Sequence, residues 1–308
     1  MLHAVPPELA HVDSVTETQF FGFCIAEKSI HGFCYMWHHP NLRIVSGGLF
    51  VYQGHKRSLT HSELCDYRAF MNDGPLANDL HSYRLANGYG VEIIEPLKRQ
   101  HVTYADAARD SSLDLTYDAV LPPVMFGDGT HFEQAVRAKG ELILRGERHA
   151  VDCYSMRDRS WAKPRPEEGV PAPGVSWMQA VFHDDFAFCC TAFDHGSSEP
   201  IAPMTMPDEK QLNGGWLHRD GKLGWLVGAR KKAVRDKEGF LVSLDLELTD
   251  EHGRTITAHG KPVASVGWNP WPNVFMPLVL VRWESEGAIA FGDVQEGVWG
   301  DHLNFLGR

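Results

Sequence analysis

Cysteine, basic charge and long apolar runs are all scarce in this 308-residue chain, and each shortage removes a class of protein. Six cysteines (Cys24, Cys34, Cys65, Cys153, Cys189 and Cys190) with no C-x-x-C pair are too few for a disulfide framework, so buried free thiols are expected. Lysine and arginine number 29 against 40 acidic residues, a formal charge of −11 with histidines neutral. The only basic cluster is Arg230, Lys231, Lys232 and Arg235, whereas a phosphate-binding surface needs a basic excess or a dense stripe; no nucleic-acid partner is expected. The longest apolar run, Phe275 to Val281, is broken by Pro277 and falls short of the ~20 residues that cross a bilayer, so no transmembrane segment is expected. Met1 to Val15 carries Pro6, Pro7, Glu8 and Asp13 where a secretory peptide places a basic patch and an apolar stretch, which points to a cytoplasmic location. Nucleotide and hydrolase signatures are missing too. Gly88-Tyr89-Gly90 is followed by Ile93 where a dinucleotide fingerprint has its third glycine, and there is no Walker loop, H-E-x-x-H or G-x-S-x-G, so no cofactor is expected.

What is present is a β rhythm. A hydrophobic share of 43% and a charged share of 22% describe a packed chain, and its length calls for two domains or one large β architecture. Period-two segments rich in aromatic and β-branched residues recur from Phe20–Ala26 and Ile30–Trp37 through His131–Arg137, Glu141–Leu144 and Val151–Trp161 to Leu278–Trp283. Turn signals such as Lys139-Gly140, Gly146-Glu147, Arg219-Asp220-Gly221 and Glu251-His252-Gly253 punctuate them. Helical candidates are few: Ser62 to Asn72 and Tyr104 to Arg109. Evenly spaced short strands predict an all-β protein built from barrels, since closure removes exposed edges. Lys163 to Gly174 holds four prolines and reads as a linker or a loop over a barrel mouth, dividing the chain into domains 1–165 and 166–308.

Among 17 histidines, His131 with Glu133 forms the best pair for a metal, two residues apart on one strand face, but no third ligand accompanies them and no metal is expected. Tyr154 to Trp161 is the most unusual stretch. As a strand it places Arg157, Arg159 and Trp161 on one face and Tyr154, Met156, Asp158 and Ser160 on the other. Two outcomes stand open there: arginines that clamp Asp158 in an ion cluster at a barrel rim, or an Asp158 turned into an apolar lumen that keeps its proton for transfer.

Met156-Arg157-Asp158-Arg159-Ser160-Trp161-Ala162, following His131-Phe132-Glu133-Gln134, resembles the signature of a two-domain lipocalin-like family. That family includes carotenoid 1,2-hydratases (hydroxyneurosporene synthases), AttH-like proteins and, more distantly, fungal Diels–Alderases. The resemblance implies two consecutive lipocalin-like (calycin) antiparallel β-barrels. It also implies a cofactor-independent hydratase or dehydratase, or an isomerase, acting on a hydrophobic terpenoid, steroid or polyene. Met156 replaces an aromatic hydroxyl partner and Ala162 replaces a glycine; the first departure bears on hydratase chemistry more than on the fold.

Such chemistry needs an acid that protonates a double bond or a departing hydroxyl, and a wall that tolerates a cation. Asp158 is the expected acid, with its carboxylate or His131 as the base. Trp161, Tyr154 and Phe132 are the expected aromatic companions, each worth about 0.5–2 kcal/mol to a cation, and Glu133 and Arg157 the expected polar contacts. Val266 to Asn273, flanked by prolines, reads as a loop whose Trp268 and Trp271 suit a lid over an apolar mouth, or equally packing between the two barrels. A hydrophobic small molecule is the expected partner, and a homodimer is compatible with the sequence. A carrier with the same pocket and a pericyclase-like scaffold that folds a polyene are the alternatives to the lyase.

Overall fold

The computed structural model describes residues 3–126, 129–164, 174–194, 210–271 and 273–300; the heart of the Pro-rich stretch, 165–173, lies outside them. Two compact units emerge, Met1–Tyr52 with Ser62–Pro166, and Gln53–His61 with Glu167–Arg308.

In the first unit the strands are β1 (Val15–Ile25), β2 (Ile30–His39), β3 (Ile44–Gln53), β4 (Leu64–Asn72), β5 (Ser82–Arg84), β6 (Gly90–Glu95), β7 (Arg99–Asp106), β8 (Ser111–Ala119), β9 (Val124–Phe126), β10 (His131–Leu144) and β11 (Glu147–Pro164). They form one antiparallel sheet in the order β4-β3-β2-β1-β11-β10-β8-β7-β6-β5, with β9 added to β10. Phe21, Met36, Leu49, Leu64, Tyr83, Val102, Leu115, Val136 and Val151, drawn from strands across this sheet, meet in one core cluster. The sheet is therefore curled, with this cluster on its concave face.

The second unit contains β12 (Val175–His183), β13 (Phe186–Phe193), β14 (Leu212–Arg219), β15 (Lys222–Arg235), β16 (Leu241–Asp250), β17 (Thr255–Trp271), β18 (Val274–Ser285) and β19 (Ala288–Trp299), closed into an up-and-down barrel. Gly54 and Lys56 of the Gln53–His61 excursion pair with Ser265 of β17 through bonds of 3.1 and 2.7 Å. No sequence signal marks that excursion. The fold is all-β, with two lipocalin-like barrels: the second closed, the first a curled open sheet.

Three expectations are corrected. Leu64–Asn72 is strand β4, paired with β3, and Tyr104 to Asp106 ends β7, so neither helical candidate forms; only Ala107–Arg109 makes a single 3-10 turn, capped by the Asp106 carboxylate. Pairing with a neighbouring strand outweighs weak helix propensity in such short stretches. Lys139-Gly140 is not a turn, because β10 runs through it. Gly140 (φ +147°) is there for close approach: a Cβ would stand 2.0 Å from the Asp114 carbonyl oxygen of β8. Finally, the stretch around Trp268 is strand, with Pro262 and Pro270 accommodated at register irregularities of β17, the positions where a sheet tolerates a missing N–H.

Inside the closed barrel the polar residues compensate one another. Asp194 binds Lys231 at 2.7 Å and Arg235 at 2.8 and 3.0 Å; Arg235 also binds Glu296, and Ser176 bridges Lys231 and Glu296. Two cations and two carboxylates, all buried, form a neutral cluster in the barrel interior. Burial would raise the Asp194 carboxyl, but Lys231 and Arg235 hold it well below the ordinary range. Such a cluster fixes barrel geometry.

The register between β1 and β11 shifts where Glu17 alone faces Trp161 and Ala162, a bulge in which Ala162 takes φ +50°. An L-residue pays roughly 1–2 kcal/mol in the left-handed region, partly offset in glycine by unfolded-chain entropy. Ala162→Gly is therefore expected to raise stability by about 0.5–1 kcal/mol in urea unfolding; an equal or larger loss would show that the bulge is not strained.

Candidate active site

The hairpin of β10 and β11 turns at Arg145-Gly146, where φ is +49° and +82°, the two positive values of the tightest hairpin turn. Its register places His131 opposite Ser160, Phe132 opposite Arg159, Glu133 opposite Asp158 and Gln134 opposite Arg157. β1 extends each row, with Phe20 opposite Asp158 and Phe21 opposite Arg157. Paired residues share a face, so this one ribbon carries two chemistries on its two sides.

Gln134, Arg157, Arg159 and Phe132 lie on the concave face with the main core. The opposite face carries His131, Glu133, Asp158 and Ser160, continuing through Phe20 to Tyr35 of β2. β1 is buried at every position along both faces. Alternation thus holds as the sequence implies, and the arginines turn away from Asp158: Arg157 Nε donates to Gln134 Oε1 at 2.8 Å, and Arg159 binds Glu17.

On the Asp158 face, Glu133 is fully buried. The His131 ring connects it to Ser160: Nε2 lies 3.1 Å from Glu133 Oε1 and Nδ1 lies 2.7 Å from Ser160 Oγ. Burial pushes the Glu133 carboxyl well above the ordinary carboxylate range. A neutral Glu133 donates its hydroxyl to Nε2, which leaves Nδ1–H to donate to Ser160. Asp158, half-buried, stands across the ladder from Glu133, where cross-strand Cβ atoms are about 4.5–5.5 Å apart and two carboxylates would repel. The row runs into aromatic side chains of the same face. Phe20 meets Phe33 at 4.7 Å, Phe33 meets Tyr35 at 5.5 Å and Phe50 at 5.8 Å, and Tyr35 meets Trp37 at 6.4 Å between ring centres.

The expected site residues therefore divide. His131, Glu133 and Asp158 come together. Tyr154 shares their face but sits four residues along β11, ~13 Å away at strand rise, under the Arg137 guanidinium. Phe132, Arg157 and Trp161 belong to the concave side, where Trp161 stacks on His3 at 4.0 Å and meets Phe132 at 6.3 Å. Trp268 is a buried strand residue of the second unit rather than an exposed lid indole, and the Trp271 side chain lies outside the described residues. The sequence places Ser160 on the Asp158 face without assigning it a role, and does not single out Phe20 or Tyr35; counting back from the Arg145-Gly146 turn sets Ser160 opposite His131. His131 and Glu133 do face one side, as a metal pair would, but they bond each other, and among the described residues no group of three ligand-type side chains converges.

A family model described as a domain of unknown function (DUF7064) matches residues 3–298. The chain belongs to the DUF7064 family. No curated protein matches this DUF7064 chain by sequence. Its fold is shared with an AttH-like protein from Nitrosomonas europaea, at a TM-score of 0.62 and 11% identity over 97% of both chains. Kievitone hydratase from Nectria haematococca follows the same fold (TM-score 0.54, 12% identity, 96% of this chain and 94% of that one), as does CghA (0.58, 11%, 97% and 93%). The three likenesses, at 11–12% identity, establish a shared two-barrel fold.

A carboxyl that stays protonated in the folded chain but ionises in the unfolded one binds more protons when folded, so its contribution to stability declines as pH rises from about 4.3 toward its folded pKa. Glu133→Gln removes that decline. The stability difference, variant minus parent, is expected to grow with pH above about 4.5 in urea titrations, by up to about 1.4 kcal/mol per pH unit. Parallel curves would mean that Glu133 is ionised in the native protein.

Proposed function

We propose that this protein is a cofactor-independent lyase of the hydratase/dehydratase type, acting on a hydrophobic terpenoid, steroid or polyene at the Glu133–His131–Asp158 face. The observation that carries this reading is a fully buried carboxyl, relayed through a histidine, placed directly opposite a second carboxyl at the edge of an aromatic band. Pairs of acids whose surroundings differ divide the roles of acid and base. Glu133 rather than Asp158 is the proton donor in this scheme.

In the dehydration direction, Glu133 gives its proton to the departing hydroxyl, the C–O bond breaks and water leaves. The cation left on carbon faces Phe20, Phe33 and Tyr35, each ring worth about 0.5–2 kcal/mol. Asp158 then takes a proton from the neighbouring carbon, whose C–H electrons form the double bond. Asp158 then releases the proton it gained to solvent, and solvent returns one to Glu133 through the partly exposed His131 ring, which Ser160 orients at Nδ1, so that both carboxyls regain their starting states. Hydration runs through the same steps in reverse. The likeness to a hydratase supports a scaffold suited to this chemistry, at the level of fold.

A panel of terpene and steroid alcohols and polyenes, assayed for gain or loss of water in 18O-labelled solvent, tests the reading. Glu133→Gln and Asp158→Asn are expected to bind within a few-fold of the parent and to turn over about 10²–10⁴-fold more slowly. A parent that binds these compounds but converts none is a carrier, and the proposal falls.

A further inference from the structure

Arg157 of β11 lies outside the acid–base face. Its side chain is 3% exposed, on the concave side of the first unit, and among the described residues no carboxylate bonds it. Its Nε donates to Gln134 Oε1 at 2.8 Å. Gln134 is itself fixed by donating to the Leu97 and Leu121 carbonyls, both at 2.8 Å, so a neutral acceptor is the one provided. The guanidinium lies 4.9 Å over the Phe132 ring, and its Nη2 has no hydrogen-bond partner among the described residues.

The charge balance of this face sharpens the point. Burial pushes the Arg157 guanidinium down to about 9, which leaves it charged at neutral pH. Arg159, two residues on, binds Glu17, and burial pushes Glu17 up to about 7 against the pull of Arg159. Burial, reinforced by Arg159, brings the His3 ring down to about 4, hence neutral. Tyr83, Tyr89, Tyr117 and Cys34 are all driven upward by burial and stay neutral. Asp158 acts on Arg157 only from the far side of the strand.

An unpaired buried charge is costly, and apolar residues of similar volume usually replace buried ions at a gain in stability. The barrel of the second unit shows the compensated alternative, with two cations matched to two carboxylates. We propose that the concave face of the first unit is a separate binding site for an amphipathic carboxylate, whose two oxygens take the free edge of the Arg157 guanidinium beside Arg159. A planar fork of N–H donors matches a carboxylate, and the rings of Phe132 and Trp161 on the same face offer its apolar body a wall. This site does not depend on the acid–base reading, because the two lie on opposite faces of one ribbon.

Isothermal titration with 4-phenylbutyrate and, as neutral control, 4-phenylbutanol tests the proposal on the full chain. The parent is expected to prefer the acid at least tenfold, and the acid to raise its melting temperature. Arg157→Met should abolish the preference while melting higher than the parent without ligand; Arg157→Lys, which keeps the charge and loses the fork, should retain a weakened preference. Glu133→Gln should bind the acid as the parent does, whatever its effect on turnover. Equal binding of acid and alcohol, no binding of either, or an Arg157→Met protein that keeps the preference would overturn the site. An Arg157→Met chain that melts lower or does not fold would mark Arg157 as a structural cation and overturn it equally.

Discussion

A carboxyl group stripped of water keeps its proton unless a cation stands beside it, and in the first unit strand alternation sends the cations to the wrong side. Arg157 and Arg159 are the immediate neighbours of Asp158 in sequence, yet their guanidinium groups belong to the concave face, while Glu133 and Asp158 occupy the other. That separation works because β1 is buried along both faces and β11 is flanked by β1 and β10, so neither side of the ribbon is simply solvent. An acid that cannot ionise cheaply on one face and a guanidinium held by a neutral amide on the other are two results of one alternation.

The second unit shows the same residue types used differently. Lys231, Arg235, Asp194 and Glu296 lie inside a closed barrel within hydrogen-bonding distance of one another, so every charge is matched. A matched cluster specifies geometry and has no proton or donor left to offer. The contrast lies in the cations: Arg157 of the first unit donates to the neutral amide of Gln134, where Lys231 and Arg235 of the second unit meet carboxylates.

Much of the fold was legible because aromatic and β-branched residues alternate with a period that only strands satisfy, and because Arg219-Asp220-Gly221 and Glu251-His252-Gly253 do form the turns they announce. The misreadings share a cause. Glycine and proline read in the sequence as interruptions, whereas Gly140 admits the Asp114 carbonyl of a neighbouring strand and Pro262 and Pro270 sit at irregularities inside β17. The false turn at Lys139-Gly140 also hid the site: without it, the register set by Arg145-Gly146 brings Glu133 against Asp158 by counting alone. The Gln53–His61 excursion left no local mark, since it depends on pairing with Ser265 more than two hundred residues away. Nor could composition tell Glu133 from Asp158 as the deeper acid, because that depends on which strands flank each carboxyl.

The protonation state of Glu133 is the claim on which the acid–base account turns. Carbon-13 NMR of glutamate side-chain carboxyls, assigned by comparison with Glu133→Gln and followed from pH 4 to pH 9, measures it directly. The account predicts one carboxyl resonance, lost in the variant, that titrates well above the ordinary glutamate range. A Glu133 resonance that titrates near the ordinary glutamate value of about 4.3 would contradict it.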